Sequence, residues 1–241
     1  MNKPLPPHLR AEGVGKTYRL RGATFDILDD VTLTAEAGQV TAVVGDSGSG
    51  KTALLHIMAL LDRPDRGRVL LCGDDMTPLD DSVRADVRRR QLGLALHSHD
   101  LLPGHPTSRN VLLPHPGPPD AAEHRARELL DRVGLLPRAS HLSGDLSPGE
   151  RQRVTLARAL INDPPIVLTD HLTTTLDADT RRQLLAFFRE LADEGRAVVL
   201  FTDDPTIADT ADTAHRLSRG ALTTDTETDE DAPESGHLSR A

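Results

Sequence analysis

One glycine-rich run has the residue types and spacing that hold the phosphates of a nucleotide. It follows the apolar run Val40–Val44, precedes a helix-like stretch from Thr52 to Leu61, and matches the P-loop pattern G-x-x-x-x-G-K-[ST]. Glycines let successive backbone N–H groups turn toward phosphate oxygens, and the N-terminus of the following helix adds partial positive charge. The sequence therefore predicts a phosphate site formed by Gly45, Asp46, Ser47, Gly48, Ser49, Gly50, Lys51 and Thr52.

The last two residues of the run predict a site for a phosphate-bound metal. In this pattern Lys51 reaches the β- and γ-phosphates, and the hydroxyl of Thr52 holds Mg²⁺. A second Mg²⁺ group is expected at Asp170, because it ends the apolar run Ile166–Thr169 and a carboxylate at the end of such a strand belongs beside a P-loop.

Composition narrows the classes of protein and of partner. The chain has 241 residues, of which 37% are hydrophobic, with four Phe, one Tyr, no Trp and a net charge of −9. Basic and aromatic residues are not interleaved as in proteins that bind single strands, and the acidic balance opposes a nucleic-acid surface. We therefore predict an aliphatic core and no nucleic-acid partner.

The sequence also predicts where the protein works. A single cysteine, Cys72, excludes an intramolecular disulfide and is interpreted as a small buried hydrophobe. The first ten residues lack the apolar segment of a secretory signal, and no apolar run is long enough to span a bilayer. We expect a soluble cytoplasmic protein, so that any pore would come from a separate partner.

Short apolar runs separated by helical stretches predict an α/β fold whose sheet is buried on both faces. A loop is expected over 102–119, which is rich in Pro, His and Gly, and a disordered acidic tail over 223–241. The predicted strands are Val40–Val44, Val69–Cys72, Leu92–Leu96, Ile166–Thr169 and Ala197–Thr202. The predicted helices, besides the one after the P-loop, are Ala122–Val133, Glu150–Ile161 and Thr180–Asp193.

Further motifs occur in a fixed order after the P-loop. They are Leu61-Asp62-Arg63-Pro64 with Gly67, Leu101-Leu102-Pro103, Asn110-Val111-Leu112-Leu113-Pro114, Leu146-Ser147 with Gly149, and Thr175-Leu176-Asp177. With the P-loop and Asp170, this set resembles the nucleotide-binding subunits of ABC transporters over about residues 9–222. It is most similar to the group that serves lipoprotein release, macrolide export and cell division.

The resemblance implies a P-loop NTPase fold and a membrane partner. A mainly parallel core sheet would carry an N-terminal antiparallel β subdomain and a helical subdomain over about residues 97–160. Two subunits, identical or different, would sandwich two ATP molecules head to tail beside an integral membrane permease, on the inner face of the cell membrane.

The same resemblance implies roles for residues outside the P-loop. Tyr18 would stack on adenine, and Asp170 would hold Mg²⁺. Ser147 and the N–H group of Gly149 would reach the γ-phosphate of the ATP held by the partner subunit. Asp177 would lie at the dimer seam.

Four positions around the γ-phosphate depart from the family pattern. The Q-loop glutamine, which touches Mg²⁺ and senses the membrane partner, is His97, and the first glycine of the signature is Pro148. The catalytic glutamate is His171 and the switch histidine is Asp203. Loss of a general base and of a stabilising charge is each worth about 10²–10³-fold in rate, so we expect impaired hydrolysis.

Several readings of these departures stay open. In one, His171 and Asp203 form the catalytic dyad in swapped order, with Asp203 orienting His171 as base. In another, an intact partner subunit completes one competent site in a heterodimer. A third is a non-hydrolysing regulatory or scaffold subunit that uses ATP as a ligand. A soluble ATPase without a membrane partner fits less well, because the chain is acidic and has one nucleotide-binding domain.

Overall fold

Two β-sheets organise the chain. This computed structural model describes residues 8–20, 22–96, 101–170 and 178–224. The strands are β1 (Leu9–Leu20), β2 (Ala23–Ala35), β3 (Val40–Val44), β4 (Arg66–Leu71), β5 (Asp74–Asp75), β6 (Leu92–Ala95), β7 (Ile166–Asp170), β8 (Ala197–Thr202), β9 (Thr213–Ser218) and β10 (Ala221–Thr224). The helices are α1 (Lys51–Met58), α2 (Asp81–Gln91), α3 (Thr107–Leu112), α4 (Pro119–Arg132), α5 (Pro148–Ala159) and α6 (Ala178–Asp193).

The two sheets differ in the direction of their strands. The first has the order β2-β1-β4-β5 and is antiparallel throughout. The second has the order β10-β9-β3-β8-β7-β6, and all its neighbouring pairs are parallel except β10 with β9. The prediction of a mainly parallel core sheet, an N-terminal antiparallel sheet and an insertion of helices is confirmed. Helices α3, α4 and α5 form that insertion between β6 and β7.

The central strands β3, β7 and β8 of the parallel sheet are buried on both faces, which explains why they are mostly apolar. Val40, Ala42 and Val44 of β3 pack into a core with α4, α5 and α6. Val43 points to the opposite face and packs with α1 and the antiparallel sheet. Because side chains alternate along a strand, a strand covered on both faces has apolar residues at most of its positions.

The predicted strands agree with the structure within three residues at either end. β3 and β8 match to the residue, whereas β4 begins at Arg66, three residues before the predicted start. The extra residues of β4 pair with β1, where Gly15 lies opposite Arg66. Arg66 and Arg68 are charged, so a prediction based on apolar runs placed the start of β4 too late.

The predicted loop over 102–119 is wrong in part, because it contains helix α3. Six residues are too few for a helix that is stable by itself. Val111 and Leu112 are nevertheless buried in the core that α4 and α5 share. Tertiary packing thus stabilises a helix that the flanking prolines and glycines concealed.

The interpretation of Cys72 as a buried residue is also wrong. Cys72 is exposed and forms, with Gly73, the two-residue turn between paired Leu71 and Asp74. Both turn residues have positive φ, 50° for Cys72 and 91° for Gly73, as a type I′ hairpin turn requires.

The end of the domain differs slightly from the prediction. Thr223 and Thr224 belong to β10, so the sheet extends two residues into the predicted tail, and residues 225–241 lie outside the described residues. Among the described residues, no helix is long and apolar enough to cross a membrane.

Asn110 of α3 joins two segments that flank the signature and the Q-loop. Its Oδ1 accepts the N–H of Leu102 at 2.8 Å, and its Nδ2 donates to the Ser143 Oγ at 3.1 Å. Ser143 Oγ donates in turn to the carbonyl of Leu102 at 2.7 Å, and both Asn110 and Ser143 are buried. This closed set of bonds fixes Leu102 against the turn that precedes the signature.

We expect Asn110→Ala to destabilise the protein by about 2 kcal/mol, because it leaves buried polar partners without a hydrogen bond. Urea unfolding measures the change. Arg109→Ala, at the neighbouring exposed position, should stay within about 0.5 kcal/mol of the wild type. Equal midpoints for the two variants would contradict this role of Asn110.

Candidate functional site

The P-loop joins the end of β3 to the first residue of α1, in the middle of the parallel sheet. The Gly45 N–H donates to the carbonyl of Thr202 at 3.2 Å, which ties the start of the loop to the end of β8. Lys51 Nζ donates to the carbonyls of Gly45 (2.6 Å) and Asp46 (2.8 Å). The Lys51 side chain therefore links the end of the loop to its beginning.

Two glycines of the loop are required by its geometry. A Cβ at Gly45 would lie 2.3 Å from the carbonyl oxygen of Leu217. Gly50 has φ +107°, and a Cβ there would lie 2.8 Å from the carbonyl oxygen of Ile27. Any side chain at either position would thus displace backbone, which ties the loop closely to β2 and β9.

Burial and nearby carboxylates act on Lys51 in opposite directions. Burial lowers the pKa of Lys51 below its usual value, and the negative charges of Asp203, Asp170 and Asp46 oppose that shift. Among these carboxylates, the effect of Asp203 is the largest. Asp203 therefore interacts with the same positive charge of Lys51 that a bound phosphate would use.

A cleft of about 490 Å³ opens between the P-loop and the antiparallel sheet. It brings together residues from β1, β2, the P-loop, α1 and the segment after β8. Its lining residues are Tyr18, Ile27, Ser47, Gly48, Gly50, Lys51, Thr52, Ala53, His56 and Asp203.

Parallel strand pairing places two predicted acidic residues at the same edge as the P-loop. Val44 lies opposite Thr202, and Asp170 lies opposite Phe201. Asp203, which follows Thr202, is exposed in the cleft, whereas Asp170 is buried at the end of β7. Asp170 thus ends a strand beside the P-loop, as the sequence predicted.

Tyr18 lines the same cleft as the P-loop residues. It belongs to the end of β1 that pairs only with β2, opposite Phe25, and it is 41% exposed. The phenol hydroxyl donates to Asp62 Oδ2 at 3.0 Å. A partly exposed aromatic ring in a cleft is suited to stacking on a planar ligand.

The predicted signature residues lie outside this cleft, at the N-terminus of α5. Ser147 is the N-cap: its Oγ accepts the Glu150 N–H at 3.2 Å, and Glu150 Oε2 accepts the Ser147 N–H at 2.8 Å. The Ser147 N–H is the main reason that the pKa of Glu150 lies below its usual value. Gly149 lies in the first turn, after Pro148.

Pro148 is compatible with this helix start. It occupies the first helical position, where its N–H group would have no intrahelical partner and its fixed φ suits a helix. The substitution thus removes a donor from the signature but does not distort the backbone.

Three predicted site residues, His97, His171 and Asp177, lie outside the described residues. Their contacts with the cleft, and with them the swapped dyad of His171 and Asp203, stay predictions. In the described ranges, no group of three or more His, Cys, Asp or Glu residues could hold a metal ion.

Comparison with known proteins agrees with the fold and the motifs. The family model described as "ABC transporter" matches residues 28–174. This chain belongs to the ABC transporter family. Its core has the fold of the ABC cassettes, with the P-loop between β3 of the parallel sheet and α1.

The chain is similar along most of its length to ATP-binding proteins of one system. It is 41% identical to the lipoprotein-releasing system ATP-binding protein LolD of Shewanella oneidensis, over 89% of this chain and 95% of the relative. For the LolD protein of Bordetella pertussis the identity is 40%, over 91% and 96% of the two chains.

The fold is similar to that of two structures of an ABC cassette called MJ0796. One is a dimer in a post-hydrolysis state bound to ADP and Pi, with a TM-score of 0.84 and 31% identity over 90% of this chain and 98% of that one. The other dimer has a TM-score of 0.83 and 32% identity, over 89% and 96%.

Some cleft residues of this ABC cassette were absent from the sequence prediction. His56 follows Thr52 by four residues, which places both on one face of α1. Ile27 enters through a bulge of β2, because Lys16 lies opposite Leu28 and Thr17 opposite Asp26. The helical period places residues 52 and 56 on one face and could have identified His56. No sequence feature predicts the bulge of β2.

We expect Tyr18 to ionise above the usual tyrosine pKa of about 10. Burial is the main cause, followed by the hydrogen bond to Asp62 and the charges of Asp62 and Asp65. Tyr18 is the only tyrosine of the chain, so absorbance titration of the phenolate reports on it alone.

Asp62→Asn should lower this titration midpoint toward the usual value, because it removes a charge that opposes the phenolate. Circular dichroism at each pH verifies that the chain stays folded. A wild-type midpoint at or below the usual value would contradict the burial and bonding of the phenol.

Proposed function

We propose that this chain is the ATP-binding subunit of an ABC transporter, and that it binds Mg-ATP in the cleft between the P-loop and Tyr18. The observation that carries the proposal is that one cleft joins Lys51, Thr52 and the N-terminus of α1 to an exposed aromatic ring. The first three groups suit a phosphate chain and the ring suits a base.

The residues at the sheet edge fit a phosphate-bound Mg²⁺. Mg²⁺ prefers oxygen ligands and takes only one or two from the protein when it also binds nucleotide phosphates. The Thr52 hydroxyl, exposed in the cleft, and the Asp170 carboxylate, at the end of β7, supply such oxygens. When bound, the ion would neutralise charge on the β- and γ-phosphates.

Two subunits would enclose ATP head to tail. The support is that Ser147 and Gly149 lie at the start of α5, away from the cleft of their own chain. They are available there to the nucleotide of a second subunit. The similar MJ0796 cassettes are dimers.

A membrane permease would complete the assembly, with this subunit on the cytoplasmic face. The relatives named LolD belong to a lipoprotein-releasing system. We extend that role to this chain, so that the cargo would be a lipoprotein and its recognition would lie in the permease.

Hydrolysis by a pair of identical subunits would be slow. Asp203 places a negative charge beside Lys51, where repulsion of the γ-phosphate opposes both binding and the transition state. His171 stands where the resemblance expects a glutamate base. An intact partner subunit could use Ser147 and Gly149 to complete one competent site in a heterodimer.

A second candidate is a non-hydrolysing regulatory or scaffold subunit of a membrane complex. The same interaction between Asp203 and Lys51 favours it, since binding ATP needs the P-loop while cleavage needs the altered positions. ATP would then stabilise a dimer without repeated turnover. The rate of phosphate release separates these two functions.

We expect the purified chain to bind Mg-ATP, measured by calorimetry, while its phosphate release at saturating Mg-ATP does not exceed that of Lys51→Ala. The two altered groups together remove about 10⁴-fold or more in rate. Turnover clearly above that control would contradict impaired hydrolysis and support the swapped dyad. Asp203→Ala would then have to abolish the turnover.

Restoring both groups should restore turnover. We expect the double variant His171→Glu, Asp203→His to release phosphate at least about 10²-fold faster than the wild type, because it regains a general base and removes a repulsive charge. The same pair in a Lys51→Ala background should stay inactive. An unchanged rate would show that other positions limit hydrolysis.

A further inference from the structure

We propose that Asp62, together with Lys16, is a positioning residue that fixes the Tyr18 ring for stacking on the purine base. This inference rests on the proposed function, since it assigns the residues that prepare the base end of the same cleft.

Strand β1 places Lys16 and Tyr18 on one side of the antiparallel sheet, because they are two residues apart. Lys16 is only 8% exposed, whereas the Tyr18 ring stays open to the cleft. The Lys16 Nζ lies 5.4 Å from the centre of the Tyr18 ring, within range of a cation–π contact. The buried ammonium group of Lys16 thus contacts the Tyr18 ring and helps to hold it in place.

Asp62 uses both carboxylate oxygens to hold this pair. Its Oδ1 accepts Lys16 Nζ at 2.9 Å and the Arg63 N–H at 2.7 Å, while its Oδ2 accepts the Tyr18 hydroxyl at 3.0 Å. Burial alone would raise the pKa of Asp62, but the bonds from Lys16, Arg63 and Tyr18 keep it below its usual value. The carboxylate is therefore charged and engaged at neutral pH.

The backbone of Asp62 is itself fixed to the P-loop helix. The N–H groups of Leu61 and Asp62 both donate to the carbonyl of His56, at 2.8 and 3.1 Å. The guanidinium of Arg84 donates to the carbonyl of Asp62. Because His56 belongs to α1, the helix that begins at Lys51 also holds the anchor of the ring.

This arrangement gives the ring one orientation before a ligand arrives. A free tyrosine side chain loses rotational freedom when a base stacks on it, and that loss weakens binding by about three- to tenfold per immobilised side chain. The Asp62 bond removes this penalty in advance. The effect should concern the base and leave the phosphate contacts unchanged.

The test compares Mg-ATP with Mg-tripolyphosphate, which has the phosphates but no base, by calorimetry. Tyr18→Phe keeps the ring and the Asp62–Lys16 pair but removes the anchor. We expect it to weaken Mg-ATP about three- to tenfold and to leave tripolyphosphate within about twofold. Asp62→Ala should do the same, and the double variant should be no weaker than either single one.

Asp65→Ala is the matched control. Asp65 lies in the same segment, accepts the Thr17 N–H at 2.7 Å and lies 4.0 Å from Lys16 Nζ, so it shares the charged surroundings of Asp62, but its carboxylate is not bonded to the phenol. We expect wild-type affinity for both ligands. An effect of Asp65→Ala equal to that of Asp62→Ala would overturn the proposal in favour of general support of the strand.

The remaining outcomes separate the inference from the function that it rests on. Wild-type affinity of Tyr18→Phe for Mg-ATP, or equal weakening of both ligands by Asp62→Ala, would overturn the positioning role alone. Failure of the wild type to bind either ligand, or equal binding by Lys51→Ala, would overturn the proposed function itself. Intrinsic tyrosine fluorescence adds an independent readout, because only Tyr18 contributes and carboxylate bonding of the phenol alters it.

Discussion

Parallel pairing of β3 with β8 and of β8 with β7 is the constraint on which the site depends. Parallel strands end at a common edge, so the P-loop, Asp203 and Asp170 meet although they come from distant parts of the chain. Burial of both sheet faces fixes this register, since a slip by one residue would exchange the faces of every side chain. The chemistry of the edge thus follows from the packing of the whole sheet.

At that edge, the positive charge of the P-loop lysine already interacts with negatively charged side chains before a phosphate binds. Lys51 is buried against two loop carbonyls, and three carboxylates act on it. A ligand must compete with those carboxylates for the positive charge of the lysine. Binding and cleavage respond differently to this competition, because cleavage also needs groups that manage the attacking water.

The sequence was most informative where a residue type has one geometric use. The P-loop glycines, the apolar runs of β3 and β8 and the carboxylate at the end of β7 were predictable, because burial and phosphate geometry leave few alternatives. The S-x-x-E spacing of Ser147 and Glu150 also signals a capping box and could have been used.

The missed features depend on contacts between distant segments. Helix α3 is stabilised by α4 and α5, and Cys72 is exposed because β4 pairs with β5. The role of Asp62 requires that the segment after α1 meet β1, 44 residues away along the chain from Tyr18. No local sequence pattern predicts contacts between such distant segments.

The Asn110 cluster gives the helical insertion a mechanical property. Leu102 and Ser143 are 41 residues apart in sequence, yet both are hydrogen-bonded to the buried side-chain amide of Asn110 and to each other. A rotation of either segment that kept these bonds would have to carry the other with it. Any displacement of Leu102 would thus be coupled to the turn before α5 through Asn110 of α3.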